Sequence, residues 1–155
     1  MYRLKCLHLF TSRYQAKSDL VIKHLTEHEE VFTSLRVIEE ASYIVIRVKA
    51  SKLHGARGIY DVRRIVNKHG PDFLKSELEA LRKLIEDKNI VVLQDVVTIE
   101  EIHRTAIEYK LLPGDAVIAL TCKHYGIDAI LTFDEDLNGY HGLSCMLAYM
   151  FSGVF

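Results

Sequence analysis

A few acidic residues stand out for where they fall in the chain. Asp115 follows Pro113 and Gly114 at the opening of an apolar helical pattern. Asp134 and Asp136 follow the apolar run Ala129, Ile130 and Leu131, and Glu39 and Glu40 come just after the strand-like Val31-Phe32-Thr33-Ser34. If Asp115, Asp134, Asp136 and one of the two glutamates converge, several anions share a space of a few ångströms. At an effective dielectric near 20, two unit charges about 5 Å apart repel by roughly 3 kcal/mol, so such a cluster persists only with a cation or protons. Hard oxygen ligands without His or Cys suit Mg²⁺ or Mn²⁺. Such ions activate water and stabilise the charge that develops in phosphodiester hydrolysis. The same residues have plainer uses: Asp115 as a helix N-cap, Asp134 to Asp136 as a solvated turn, Glu39 and Glu40 as solvent-facing residues. Composition and spacing leave both readings open.

The elements that carry these residues alternate between two periods. Residues 2 to 10 form a loose opening strand, residues 13 to 26 a helix, and Val31 to Ser34 a brief strand. Ser34 is a plausible N-cap for a helix carrying Val37, Ile38, Ala41, Ile44, Val45 and Val48, although the β-branched run Tyr43 to Val48 is a weak strand signal. The stretch from Lys49 to Gly70, with Gly55, Gly58 and Gly70, is the least regular, with a short helical face in Ile59, Val62, Ile65 and Val66. Pro71 opens the clearest helical period, which ends near Asn89, and Ile90 to Leu93 is a short buried strand. Thr98 with Glu101 matches a capping box ahead of Ile102, Ala106, Ile107 and Tyr109. A helix opened by Pro113, a turn at Gly126 and the Ala129 to Leu131 strand follow. This alternation predicts an α/β fold with a mainly parallel sheet, in which ligands sit in the crevice outside the carboxyl ends of the strands. At 155 residues and 49% hydrophobic, the chain suits one domain over residues 1–155.

The formal charge of -1 gives no global reason to expect nucleic acid or a membrane surface. Its distribution says more: seven Lys or Arg against one acid, Asp61, give +6 between Arg47 and Lys68, leaving -7 to the rest. That window suits either a phosphate backbone or a solvated helical face, and Arg57, Arg63 and Arg64 are the candidate contacts. Three cysteines without CxxC spacing suggest reduced thiols and a cytoplasmic setting. No stretch approaches the roughly 20 apolar residues of a membrane span.

At this point the residues resemble a family. Gly114-Asp115-Ala116 opening a helix, the Tyr125-Gly126-Ile127 turn and Leu131-Thr132-Phe133-Asp134 are similar to the C-terminal half of the PIN domain, the nuclease fold of VapC-type toxins. Phe32-Thr33-Ser34 with an acid six residues after the serine resembles that family's second acidic motif, which selects Glu40 over Glu39. The resemblance implies a three-layer α/β fold, a small parallel sheet flanked by helices, and a Mg²⁺- or Mn²⁺-dependent endoribonuclease. Carried over by position, it implies catalytic and metal-site roles for Glu40, Asp115 and Asp134, a weaker metal role for Asp136, and a supporting role for Thr132. One feature departs from the pattern: the family's first strand ends in Asp, and residues 1–18 contain no acid. A catalytically impaired PIN-like domain that binds RNA or an antitoxin and dimerises is the alternative expectation. The tail after Asp136 lacks the family's usual closing strand pattern; its apolar residues Leu143 to Phe151 fit core, a dimer contact or an antitoxin-binding surface. Expected partners are therefore an RNA substrate, an antitoxin protein and a second copy of the chain. His24 and His28 have the i, i+4 spacing of zinc ligands but no third ligand nearby, and read as an exposed pair.

Overall fold

The computed structural model describes residues 5–8, 30–127, 129–132, 140 and 144–147. Five strands form one parallel sheet: β1 (Lys5–His8), β2 (Val31–Ser34), β3 (Val91–Leu93), β4 (Ala129–Thr132) and β5 (Ser144–Leu147), in the order β3-β2-β1-β4-β5. Among the described residues the helices flanking it are α1 (Leu35–His54), α2 (Ile59–His69), α3 (Asp72–Asp87), α4 (Ile99–Tyr109) and α5 (Pro113–His124). From β1 the chain steps outward to β2 and β3, then returns to lay β4 on the other side of β1. That reversal is the topological switch, where the carboxyl ends of the strands leave a crevice. His8 is level with Thr132, and Thr132 with Leu147, so these strand ends lie in one row.

The long helix α1 is fixed at both ends by its own sequence. Ser34 Oγ accepts the Val37 N–H at 3.3 Å as N-cap. Gly55 closes the helix at φ 67, a left-handed turn that glycine enters at no steric cost. Between these caps run 20 residues, about 30 Å of helix. The β-branched run Tyr43 to Val48 lies inside it, against the strand signal. Its propensity penalty is a few tenths of a kcal/mol per residue, and the half-buried Ile44, Val45, Ile46 and Val48 offset it by packing. The Lys49 to Gly70 stretch is likewise regular. Its glycines are punctuation: Gly55 ends α1, Gly58 precedes α2 and Gly70 ends α2. The capping box of α4 forms as its sequence expects, and hydrogen bonds from the Thr98 N–H (2.8 Å) and hydroxyl (3.0 Å) hold the Glu101 carboxyl below its ordinary value.

The apolar interior divides in two. The main cluster surrounds α5, whose Ala116, Ile118, Ala119 and Cys122 pack with Val37, Leu93, Ile127 and Ile130. A smaller cluster joins the far half of α1 to α2 and α3 through Ala50, Ala56, Val62, Ile65 and Phe73. Lys49 strengthens that second joint: its Nζ pairs with Glu77 at 2.5 Å, donates to the Phe73 carbonyl at 2.8 Å and lies 4.8 Å from the Phe73 ring centroid. The tail, expected to lack a closing strand, supplies β5, which pairs parallel to β4 from Ala129↔Ser144 to Thr132↔Leu147. A strand of only four residues carries little local signal of its own. The helix expected over residues 13–26 and the pair His24 and His28 lie outside the described residues.

Candidate active site

Two helix N-termini meet at the carboxyl edge of the sheet. α1 begins directly after β2, and α5 begins at Pro113, whose missing N–H costs nothing in a first turn. The N-cap of α5 is Leu112, so Asp115 is the third helical residue and is not the cap that its position after Pro-Gly suggested. Asp115 is 8% exposed. A carboxylate so buried needs compensation, and the first turn of a helix supplies part of it through its free N–H groups.

On α1, Glu40 is the inward glutamate: its side chain is 27% exposed, against 70% for Glu39. Both are gathered by Arg36, one turn earlier. Arg36 Nη2 lies 2.6 Å from Glu40 Oε1, and Nη1 pairs with Glu39. The guanidinium also lies against the first turn of α5, where a Cβ at Gly114 would sit 2.6 Å from Nη2 and 2.9 Å from Nε. Gly114 is thus the residue that lets Arg36 approach. The structure therefore brings Glu40 and the Asp115 turn onto one guanidinium. Arg36 Nε is buried and has no hydrogen-bond partner among the described residues.

Asp95, just past β3, escaped the sequence reading. Its Oδ2 accepts the Arg36 N–H at 2.8 Å, a second cap on α1, and its Oδ1 accepts the Thr121 hydroxyl of α5 at 2.9 Å. One carboxylate thereby ties β3, α1 and α5 together beneath the site. An acid immediately after the Ile90 to Leu93 run was the available signal, because that is the carboxyl end of a parallel strand. Arg36 was legible too, as the residue four before Glu40.

Glu39 and Glu40 pair with the Arg36 guanidinium, the Asp115 turn packs against it and Asp95 takes the Arg36 backbone N–H, so among the described residues acids here exceed the basic side chain that they surround. The donors of Glu40 and Asp115 are hard oxygens, and their chemistry fits a small dication better than a soft metal. Among the described residues no three His, Cys, Asp or Glu converge closely enough to hold a metal ion. Asp134 and Asp136 lie outside the described residues, and Thr132 closes β4 opposite His8. The basic trio is elsewhere. Arg57 is in the link after α1, and the exposed Arg63 and Arg64 are on α2, beyond His54, which is itself about 20 Å along α1 from Glu40.

A family model for the PIN domain matches residues 7–142. The chain belongs to the PIN domain family. Ribonuclease VapC2 of Methanocaldococcus jannaschii is 36% identical over 114 residues, spanning 71% of this chain and 68% of that protein. Ribonuclease VapC6 of the same organism is 34% identical over 87 residues, 53% of this chain and 54% of that one. Among solved structures, the crystal structure of PAE2754 from Pyrobaculum aerophilum aligns over 93% of this chain and 83% of its own, with a TM-score of 0.56 and 19% identity, a likeness of fold alone. No described helix is long and apolar enough to cross a membrane.

Proposed function

We propose that this chain is an endoribonuclease of the VapC toxin type, dependent on Mg²⁺ or Mn²⁺, acting in the cytoplasm as one domain over residues 1–155. The observation that carries the reading is the meeting of Glu40 with the buried Asp115 turn at the switch point of a parallel sheet. Two curated relatives bearing the name ribonuclease VapC support it. Glu40, Asp115 and Asp134 would hold the divalent ion, with Asp136 beside them and Thr132 orienting a carboxylate. When bound, the ion supplies charge neutralisation at the phosphate and lowers the pKa of water. The chain's own part is positional. Asp95 fixes the start of α1 against the later turns of α5, and Arg36 sets the Glu40 side chain and offsets its charge. Arg57, Arg63 and Arg64 give RNA a basic surface, and an antitoxin and a second copy of the chain are the proposed protein partners.

The test is cleavage of an end-labelled RNA by the purified chain. With Mg²⁺ or Mn²⁺ present, wild type yields discrete fragments and Asp115→Asn loses at least about a hundredfold in rate, some 2.7 kcal/mol of barrier. No cleavage with either ion, or equal rates in the two proteins, would overturn the reading. One observation favours the second reading, a binding module without cleavage: Arg36 already occupies Glu40. RNA retention without fragments would select it.

A further inference from the structure

The other furnished region lies at the far end of α1. A cleft of about 380 Å³ opens where α1 meets α2, well away from the acids. That volume is in the range of small-ligand sites, roughly 300 to 1,000 Å³. His54 from the last turn of α1 forms one wall; Asp61, Arg64, Lys68 and His69 from α2 form the other. Residues 61, 64, 65, 68 and 69 follow the spacing of one helical face, and the buried Ile65 anchors it. The two imidazole rings lie 4.4 Å apart, and Phe73 of α3 stands 5.7 Å from one and 5.8 Å from the other.

The charges around this cleft do not cancel. Among the described residues Asp61 is the acid in its lining, and both carboxylate oxygens are engaged: Oδ1 by Arg64 at 2.9 Å, Oδ2 by the Arg57 N–H at 3.1 Å. None of the described ion pairs involves Lys68. With both imidazoles neutral the lining keeps a net positive charge, and protonation of either adds to it. The carbonyl ends of α1 and α2 bring partial negative charge that offsets part of this excess, so an anion here is held by direct hydrogen bonds from the lining side chains. A planar guanidinium, a compact ammonium and two ring N–H donors around one nucleotide-sized space are the donor set of a phosphate site.

We propose that this cleft is a phosphate-binding subsite that holds a phosphate of an RNA strand running from the acidic end of α1. The phosphate half of the statement rests on the cleft alone; the RNA half rests on the ribonuclease reading. Binding is tested on the full chain carrying Asp115→Asn without divalent ions, so a failed cleavage assay and a failed subsite are separate results. Inorganic phosphate is titrated while the ring C–H proton signals of His54 and His69 are followed, assigned through His54→Gln and His69→Gln. Both signals shift saturably with phosphate and not with chloride at equal ionic strength. A short single-stranded RNA, with or without a 5′-phosphate, moves the same two signals. The exposed pair Arg64→Gln and Lys68→Gln weakens RNA binding roughly tenfold and lowers the slope of log affinity against log salt by about one to two. Signals unmoved by phosphate overturn the subsite. Signals moved by phosphate but by neither RNA assign it to free phosphate and overturn the RNA half.

Discussion

The two ends of α1 treat charge in opposite ways. At its start, Glu39, Glu40 and Arg36 sit over the main cluster, with Asp95 and the Asp115 turn packed close around them, and among the described residues acids outnumber cations. At its finish, His54, Arg64, Lys68 and His69 line an open cleft with one acid among them. The difference follows from what each end is packed on. The acidic end is held by the sheet and two helix N-termini, which favour negative charge. The basic end is held by helix C-termini and a smaller apolar cluster, which favour positive charge. One 20-residue helix thus separates an acidic end from a basic one by about 20 Å or more.

The sharpest way to break the comparison is through the cores. Ile118→Ala beneath the acidic end removes a side chain with no exposure and is expected to cost about 3–5 kcal/mol, read by chemical denaturation. Ile65→Ala beneath the basic end, 7% exposed and at the edge of a smaller cluster, is expected near the lower limit, about 2 kcal/mol. Equal costs would mean that the two ends are equally rigid. Asp95→Ala removes a helix cap and the acceptor of the Thr121 hydroxyl together, a loss of about 2 kcal/mol. If its midpoint matches wild type, Asp95 braces nothing. Gly114→Ala is expected to leave stability within about 1 kcal/mol, because the atoms in its way are the movable end of Arg36 and alanine is the better helix former. Its effect falls on Glu40, which loses its guanidinium, so the metal response of this variant should change while its melting temperature holds.

The smallest effect concerns pH. Burial raises the Glu77 carboxyl, but the Lys49 and Ser76 hydrogen bonds outweigh it, and the net shift is below the ordinary 4.5. A lowered folded value means that the contribution is present above the unfolded value and lost as pH falls through the folded one. Glu77→Gln should therefore lower stability near neutral pH and flatten the acid arm of the profile, with no change at the acidic end of α1. An unchanged acid arm would show that the Lys49 clamp contributes nothing.

Elements whose own residues define their ends were legible. Thr98 and Glu101, Pro113, and Ser34 with its following helix all fell where capping chemistry places them. Glycine spacing between Lys49 and Gly70 suggests irregularity, yet Gly55, Gly58 and Gly70 bound two helices whose packing rests on Ala50, Val62 and Phe73. Strand β5 was not legible either, because four residues carry little strand signal of their own. For the site, Glu40 and Asp115 were visible as acids at element ends. The bracing by Asp95 was not, because a carboxylate serving β3, α1 and α5 at once depends on contacts across 59 and 26 residues.

The account rests on the acidic end taking a divalent ion. Thermal unfolding of wild type and Asp115→Asn with increasing Mn²⁺ tests it most directly, because an ion that binds only the folded chain stabilises it by about 2.7 kcal/mol at a hundred times its Kd. For a chain of this size that is roughly 5–10 °C. Wild type should rise by that amount and Asp115→Asn should stay flat, while Lys68→Gln at the opposite end follows wild type. A wild-type melting temperature indifferent to Mn²⁺, or an equal rise in Asp115→Asn, would contradict the account.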